Sequence, residues 1–235
     1  MKHAAEARRA ALRLILLTLA ALCAACLLGL AISWAVGKPG LLAGLLGVFI
    51  PLLAGMWILF ALFTLYFFRD PDARTPDGPG QVICPGHGTI DAVGRLPDSQ
   101  FPGGPCHRIS MFLSVLNIHV QNAPVSGRVI SVTRTPGKFI SALQADSALY
   151  NENVLIGFDS AEAPGEKIGV RLIAGVLARR IVPFVKMGDD VKRGQRISLI
   201  QFGSRCDLYL PLRYQIKVKP DDKVIGGETV IAATT

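Results

Sequence analysis

The chain has 235 residues, is 51% hydrophobic and carries a formal net charge of +8, with a mean hydropathy of +0.42. That average is too apolar for an ordinary soluble domain, and five cysteines at scattered positions exclude a disulfide-stapled secreted fold. The basic balance favours anionic lipid headgroups as neighbours; with no aromatic–basic stripe and no recognition helix, nucleic acid is not an expected partner.

The excess apolarity sits at the N-terminus. Residues 14–36 and 41–68 carry no charge, and each run exceeds the roughly 20 residues that cross a hydrocarbon core as a helix. Both are too long for a signal-peptide core. Residues 1–68 therefore read as a membrane anchor, a transmembrane helical hairpin with a short Gly37-Lys38-Pro39-Gly40 turn, with a re-entrant hairpin that dips into the bilayer as the alternative. Lys2, Arg8, Arg9 and Arg13 precede the first helix, against Lys38 alone in the turn. The positive-inside rule puts the N-terminus in the cytoplasm, and two crossings return the remainder to that side of the inner membrane.

Residues 69–80, rich in Pro, Gly and Asp, read as a linker. From 81 to 235 the chain breaks into short Val- and Ile-rich runs punctuated by Gly and Pro: 81–84, 89–93, 109–113, 118–121, 128–133, 154–158, 168–174, 195–200, 206–210, 215–218 and 229–232. This predicts a β-rich sandwich or barrel. Residues 175–182 have some helical character. An internal repeat is present: Pro85, Gly88, Ile90 and Val93 recur as Pro124, Gly127, Val129 and Val132, a tight turn feeding a strand. The segment 187–200 has the form G-D-x-V-x-x-G. Such units resemble the half-barrels of biotinyl- and lipoyl-type domains, so the expected fold class is mainly β, a barrel-sandwich behind a helical hairpin.

Cys23 and Cys26 fall inside the first apolar run, where small-residue packing accounts for the C-x-x-C spacing. Cys84 with His87, and Cys106 with His107, offer zinc-ligand types, but nothing in the spacing makes them converge, and no metal site is expected.

Four segments in order carry a more specific likeness. Residues 67–88, "FFRDPDARTPDGPGQVICPGHG", residues 112–129, "FLSVLNIHVQNAPVSGRV", residues 150–158, "YNENVLIGF", and residues 198–211, "SLIQFGSRCDLYLP", together resemble the phosphatidylserine decarboxylases, in their short form. The physics of the last segment can be read on its own. A serine after glycine in a strained turn can attack the preceding carbonyl with Oγ and turn the Gly203–Ser204 amide into an ester. β-Elimination then frees residues 1–203, and hydrolysis of the dehydroalanine left at position 204 releases ammonia and leaves a pyruvoyl group on residues 205–235. Most Gly-Ser pairs are plain hairpin turns; it is the resemblance that implies self-processing here, into a β chain, 1–203, and an α chain, 204–235, that stay partners.

The resemblance further implies a carboxy-lyase that converts phosphatidylserine in the membrane to phosphatidylethanolamine and CO2. The pyruvoyl cofactor derived from Ser204 would form a Schiff base with the substrate amine and act as an electron sink. His119 falls on the family's histidine and is the candidate for proton transfer. His87 stands where the family has the aspartate of P-A-D-G, and is a candidate base for the Ser204 hydroxyl. Phe202 and Arg205 flank the processing turn as candidate substrate-binding residues. Other departures from the family pattern are Ser114-Val115, Gln121-Asn122 and Asn151-Glu152-Asn153-Val154. Two further readings share these features: a non-catalytic lipid-binding relative, and a membrane-fusion or adaptor protein with lipoyl-like domains, although no coiled-coil heptads occur. A homodimer and a monomer are both open.

Overall fold

The computed structural model describes residues 3, 5–37, 39–97, 103–140, 150–175, 180–201 and 204–234. Contacts divide the chain into an N-terminal helical unit, Ala5–Arg69, and a unit built mostly of Asp70–Thr235.

The helical unit is α1 (Glu6–Ala35) and α2 (Pro39–Phe67). At 1.5 Å per residue each is about 45 Å long, enough to cross a hydrocarbon core of about 30 Å. Both are long and apolar enough to cross a membrane. Pro39 opens α2, where a missing N–H costs nothing; Pro51 sits in its interior. The two helices are joined by a polar contact: the Trp57 indole N–H donates to Thr18 Oγ1 at 3.2 Å, and that hydroxyl donates to Leu14 O at 2.9 Å. In lipid such a donor needs an internal partner, because no water competes for it.

The second unit is built of short strands. Its first half holds β1 (Gln81–Ile83), β2 (Gly88–Leu96), β3 (Cys106–Leu113), β4 (Val120–Asn122), β5 (Gly127–Thr135), β6 (Asn153–Ser160) and β7 (Lys167–Ala174). Its second half holds β8 (Arg180–Pro183), β9 (Asp190–Val191), β10 (Arg196–Gln201), β11 (Ser204–Pro211), β12 (Tyr214–Ile216), β13 (Lys223–Val224) and β14 (Val230–Thr234). An eight-stranded sheet runs β13-β2-β3-β11-β7-β6-β5-β9, and two three-stranded sheets run β1-β14-β12 and β4-β10-β8. Each described strand pair is antiparallel. The fold is the expected mainly β, half-barrel architecture behind two apolar helices.

Alternation decides which face is core. Ile109, Met111 and Leu113 of β3 stand beside Cys206, Leu208 and Leu210 of β11, then Val170 and Leu172 of β7 and Val154, Ile156 and Phe158 of β6, all fully buried in one cluster.

The repeat seen in the sequence is a duplication of structure. β2 and β5 both begin at the repeated glycine. A Cβ there would lie 2.2 Å from Phe112 O at Gly88 and 2.1 Å from Asp159 O at Gly127, so only glycine lets the strands close. Each strand then slips register at the same offset, between Ile90 and Ala92 and between Val129 and Ser131. β13 edges β2 as β9 edges β5. Residues 188–197 likewise have a counterpart at 221–230, with Gly194 and Gly227 both at φ +79°. That second copy is hidden in the sequence, because Gly188 is answered by Asp221, at φ 73°.

One expectation needs correction. Residues 180–182 are not helical but part of β8, paired with β10 from Arg180↔Gln201 to Pro183↔Ser198; residues 176–179 lie outside the described residues. β10 and β11 do not form a hairpin. β10 pairs with β4 and β8, whereas β11 pairs with β3 and β7. The 201–204 connection therefore carries the chain from one sheet to another.

Candidate active site

Ser204 is the first residue of β11 and lies between Leu113 of β3 and Ala174 of β7. Its place in the alternation, two residues before Cys206, turns its side chain to the core face. The residue is fully buried, and its Oγ has no hydrogen-bond partner. A buried hydroxyl left unpaired costs about 1–3 kcal/mol, so the fold holds this group dry against apolar neighbours at an energetic penalty. The sequence-predicted partners Phe202 and Gly203 lie outside the described residues.

His119 comes just before β4 and is 1% exposed. Its backbone carbonyl accepts from Ile200 N at 3.0 Å, which registers it against the end of β10 next to the 201–204 crossing. Its Nδ1 lies 3.0 Å from Asn117 O. A carbonyl only accepts, so Nδ1 carries the proton and Nε2 holds the lone pair in the neutral ring.

His87 sits in the turn between β1 and β2. The turn is stitched in place by Asn122 N donating to Pro85 O and Gly227 N donating to Cys84 O, both at 2.8 Å. The imidazole lies over Gly226, where a Cβ would come within 3.0 Å of Cδ2. It lines a cavity of about 260 Å³ with Asp70, Asp72, Glu228 and the residues flanking His119, Ile118 and Val120. The next residue, Gly88, opens β2 at the same end of the sheet as Leu113 and Ser204, two strands away. Two strand spacings are about 10 Å. The fold thus brings His87, His119 and Ser204 to one end of the unit, but neither imidazole hydrogen-bonds to the serine hydroxyl.

Arg205 is placed differently. Alternation turns it to the other face of β11, where its guanidinium pairs with Asp91 of β2. Asp207, two residues on, is 1% exposed. Burial raises its pKa, outweighing the opposing pull of Ser110, its cross-strand neighbour, and of Arg108, Arg205 and Arg171. A carboxyl raised in the fold contributes stability that is complete below its unfolded value of 3.8 and is lost as pH climbs through the folded value. Wild-type stability relative to Asp207→Asn should accordingly decline in urea unfolding as pH rises above about 4. A difference that stays flat or grows over that window contradicts the assignment.

The asparagine segment closes the far side of Ser204. Asn151 is 1% exposed. Its Nδ2 donates to Ala174 O at 2.7 Å and to Ile140 O at 2.8 Å, and its Oδ1 accepts from Ile140 N at 2.9 Å. Ala174 is the residue paired with Ser204. Asn153 donates to Asn151 O and accepts from Arg171 Nε. The sequence marked this segment by likeness but held no signal for what it braces.

Beneath Ser204 on the same face lie three sulfur atoms. Cys84 Sγ donates to Gly86 O at 3.0 Å and lies 3.5 Å from Met111 Sδ, and Met111 is paired with Cys206. Burial pushes the Cys84 thiol up to about 12 and raises Cys206 as well. Protonated, dry thiols of this kind are inert packing. Cys106 and His107 lie at the opposite end of β3, with His107 Nε2 3.3 Å from Leu212 O. Among the described residues, no group of three His, Cys, Asp or Glu is placed to hold a metal ion.

The sequence model of the family described as phosphatidylserine decarboxylase matches residues 60–232. The chain is similar to the phosphatidylserine decarboxylase proenzyme of Desulfotalea psychrophila, 42% identical over 180 residues, covering 77% of this chain and 83% of the relative. It is also similar to that of Pelobacter propionicus, 41% identical over 178 residues, covering 76% and 80%. With that of Symbiobacterium thermophilum it is 37% identical over 211 residues, covering 90% and 89%.

Proposed function

The chain belongs to the phosphatidylserine decarboxylase family, and from that premise we propose that it cuts itself between Gly203 and Ser204 and uses the resulting pyruvoyl group to decarboxylate phosphatidylserine at the cytoplasmic face of the inner membrane. The observation that carries the proposal is the unpaired, fully buried Ser204 Oγ at the point where the chain changes sheets.

That setting suits self-cleavage. Oγ attacks the Gly203 carbonyl carbon, the C–N bond breaks, and the nitrogen of residue 204 takes the proton. Elimination then releases residues 1–203 as a carboxylate, and one water converts the remainder to a ketone with loss of ammonia. A ketone has no O–H to satisfy, so the product relieves the unpaired donor that the serine leaves in the core. When formed, the ketone would accept the substrate amine and receive the electron pair left behind as the carboxylate departs as CO2.

The chain's own residues have separable tasks. Leu113 and Ala174 exclude water on either side of position 204. Asn151 holds the Ala174 carbonyl and so braces that strand. His87, in the place of the family's aspartate, takes the Ser204 proton during processing. His119, with Nδ1 held by Asn117 O, presents Nε2 for proton transfer during decarboxylation. Arg205 is engaged by Asp91 on the other face and is given no substrate role. The helical unit anchors the enzyme where its substrate resides, with Lys2, Arg8, Arg9 and Arg13 on the cytoplasmic side.

Cleavage need not release the α chain. β11 is hydrogen-bonded on both sides, by β3 and β7; β14 lies between β1 and β12, and β13 edges β2. Intact-mass measurement of purified protein should show two chains, the smaller being residues 205–235 behind an N-terminal pyruvoyl, and both should run as one species under native conditions. A single mass for the uncut chain with no CO2 release would favour the lipid-binding reading instead.

A further inference from the structure

Residues 69–80 read as a flexible linker in the sequence, but the described chain from Asp70 onward is strapped to the β domain along its length. Arg196 of β10, 2% exposed, donates from Nε to both carboxylate oxygens of Asp70 at 2.8 and 2.6 Å. Its Nη2 donates to Asp72 Oδ1 at 2.9 Å and to the Asp70 carbonyl at 3.2 Å. Arg74 N donates to Glu228 Oε1 at 2.9 Å. Ala73 and Thr75 lie so close over Gly227 and Gly194 that a Cβ at those glycines would come within 2.6 and 2.0 Å of them. Arg193 Nη1 then donates to Gly78 O and Gln81 O, both at 2.8 Å.

We infer that residues 70–80 are a mount held on the β unit by the Arg196 clamp on Asp70 and Asp72 rather than a free linker, so that the tether between the catalytic domain and its membrane anchor is shortened to the Arg69–Asp70 junction and the domain stays close to a lipid still in the bilayer. The inference rests on the reading of a membrane lipid as substrate. A free linker of this length would have an end-to-end spread of about 18 Å, more than half the roughly 30 Å thickness of a hydrocarbon core. A domain on such a leash would spend most of its time away from lipid. The clamp removes that freedom, and it does so on β10, the strand that runs directly into the 201–204 crossing. Arg196 touches no reacting atom in this scheme; it is a positioning residue.

Two variants test the mount from opposite sides. Ten Gly and Ser residues inserted between Arg69 and Asp70 leave the clamp whole but free the domain from the anchor. The pair Asp70→Asn and Arg196→Met opens the clamp without leaving a buried unpaired charge. The insertion variant is assayed on phosphatidylserine in phosphatidylcholine vesicles and on a short-chain phosphatidylserine dissolved below its micelle concentration, and the clamp pair, which alters a residue of the His87 cavity, is read by proteolysis alone. We expect about a tenfold or greater loss on vesicles and less than about twofold on the dissolved substrate, the signature of lost local concentration rather than lost chemistry. Unchanged vesicle activity in the insertion variant overturns the proposal, as does an equal loss on both substrates. Trypsin supplies a readout that needs no activity. Cleavage after Arg74 should be slow in wild-type protein and several-fold faster in the clamp pair; equal rates overturn the mount. Wild-type protein inert on both substrates but resistant at Arg74 would sink the substrate reading and leave the mount standing.

Discussion

Replacing Ser204 with alanine is expected to leave one uncut chain of 235 residues that releases no CO2 from phosphatidylserine. The substitution is clean because of where the residue sits. The backbone of β11 is held by β3 and β7 through pairs with Leu113 and Ala174, and neither ladder needs the side chain. Oγ makes no hydrogen bond, so its removal deletes a buried unsatisfied donor and should cost nothing in stability, or even add about 1 kcal/mol. A folded variant that has lost all decarboxylation therefore reports on chemistry alone. A folded variant melting no lower than the processed wild type, with activity falling to the uncatalysed rate, is the expected result. A variant that still appears as two chains, or still releases CO2, would refute Ser204 as the source of the electron sink.

The second large effect separates the histidines. His119→Ala should lower CO2 release by about 10²–10⁴-fold, the usual contribution of a positioned proton donor or base, while self-cleavage proceeds. His87→Ala should instead slow the appearance of the two chains in a time course of freshly made protein. The assignments follow from position. His119 is registered by Ile200 N against the end of β10 and has Nδ1 fixed by a carbonyl, so its ring is held in one orientation. His87 lies two strands from Ser204 beside the cavity with Asp70, Asp72 and Glu228, with its ring over Gly226. The variant His87→Asp, which returns the family's residue, should process at least as fast as wild type. If His119→Ala blocks cleavage and His87→Ala leaves it untouched, the two roles are exchanged.

Arg205 illustrates how a neighbour in sequence can face the opposite side of a sheet. Adjacent residues of a strand face opposite ways, so the residue beside Ser204 pairs with Asp91 on the far side of the sheet. The same alternation puts Cys206, two residues on, directly beneath the site. No motif distinguishes these two cases until the strand is known to begin at Ser204 rather than at Cys206.

Local composition determined much of this protein without help from the fold. The two apolar helices follow from uncharged runs that no globular unit of this size could bury. Most β strands follow from alternating Val and Ile between Gly and Pro, and the repeated turn at Pro85 and Pro124 marks the two half-barrels. The Gly203-Ser204 pair and the two histidines were legible as candidates because like residues recur in a recognisable order. What the tertiary structure alone decided are the matters that depend on partners distant in sequence. β8, β9 and β13 are two to four residues long and exist because β10, β5 and β2 offer edges, not through propensity of their own. The separation of β10 and β11 into different sheets, and the grip of Arg196 on Asp70 across 126 positions, arise the same way. A helix in lipid or an alternating strand is specified within a few residues, whereas a clamp or a sheet crossing is specified only when distant segments exclude water together, and that partnership leaves no local trace.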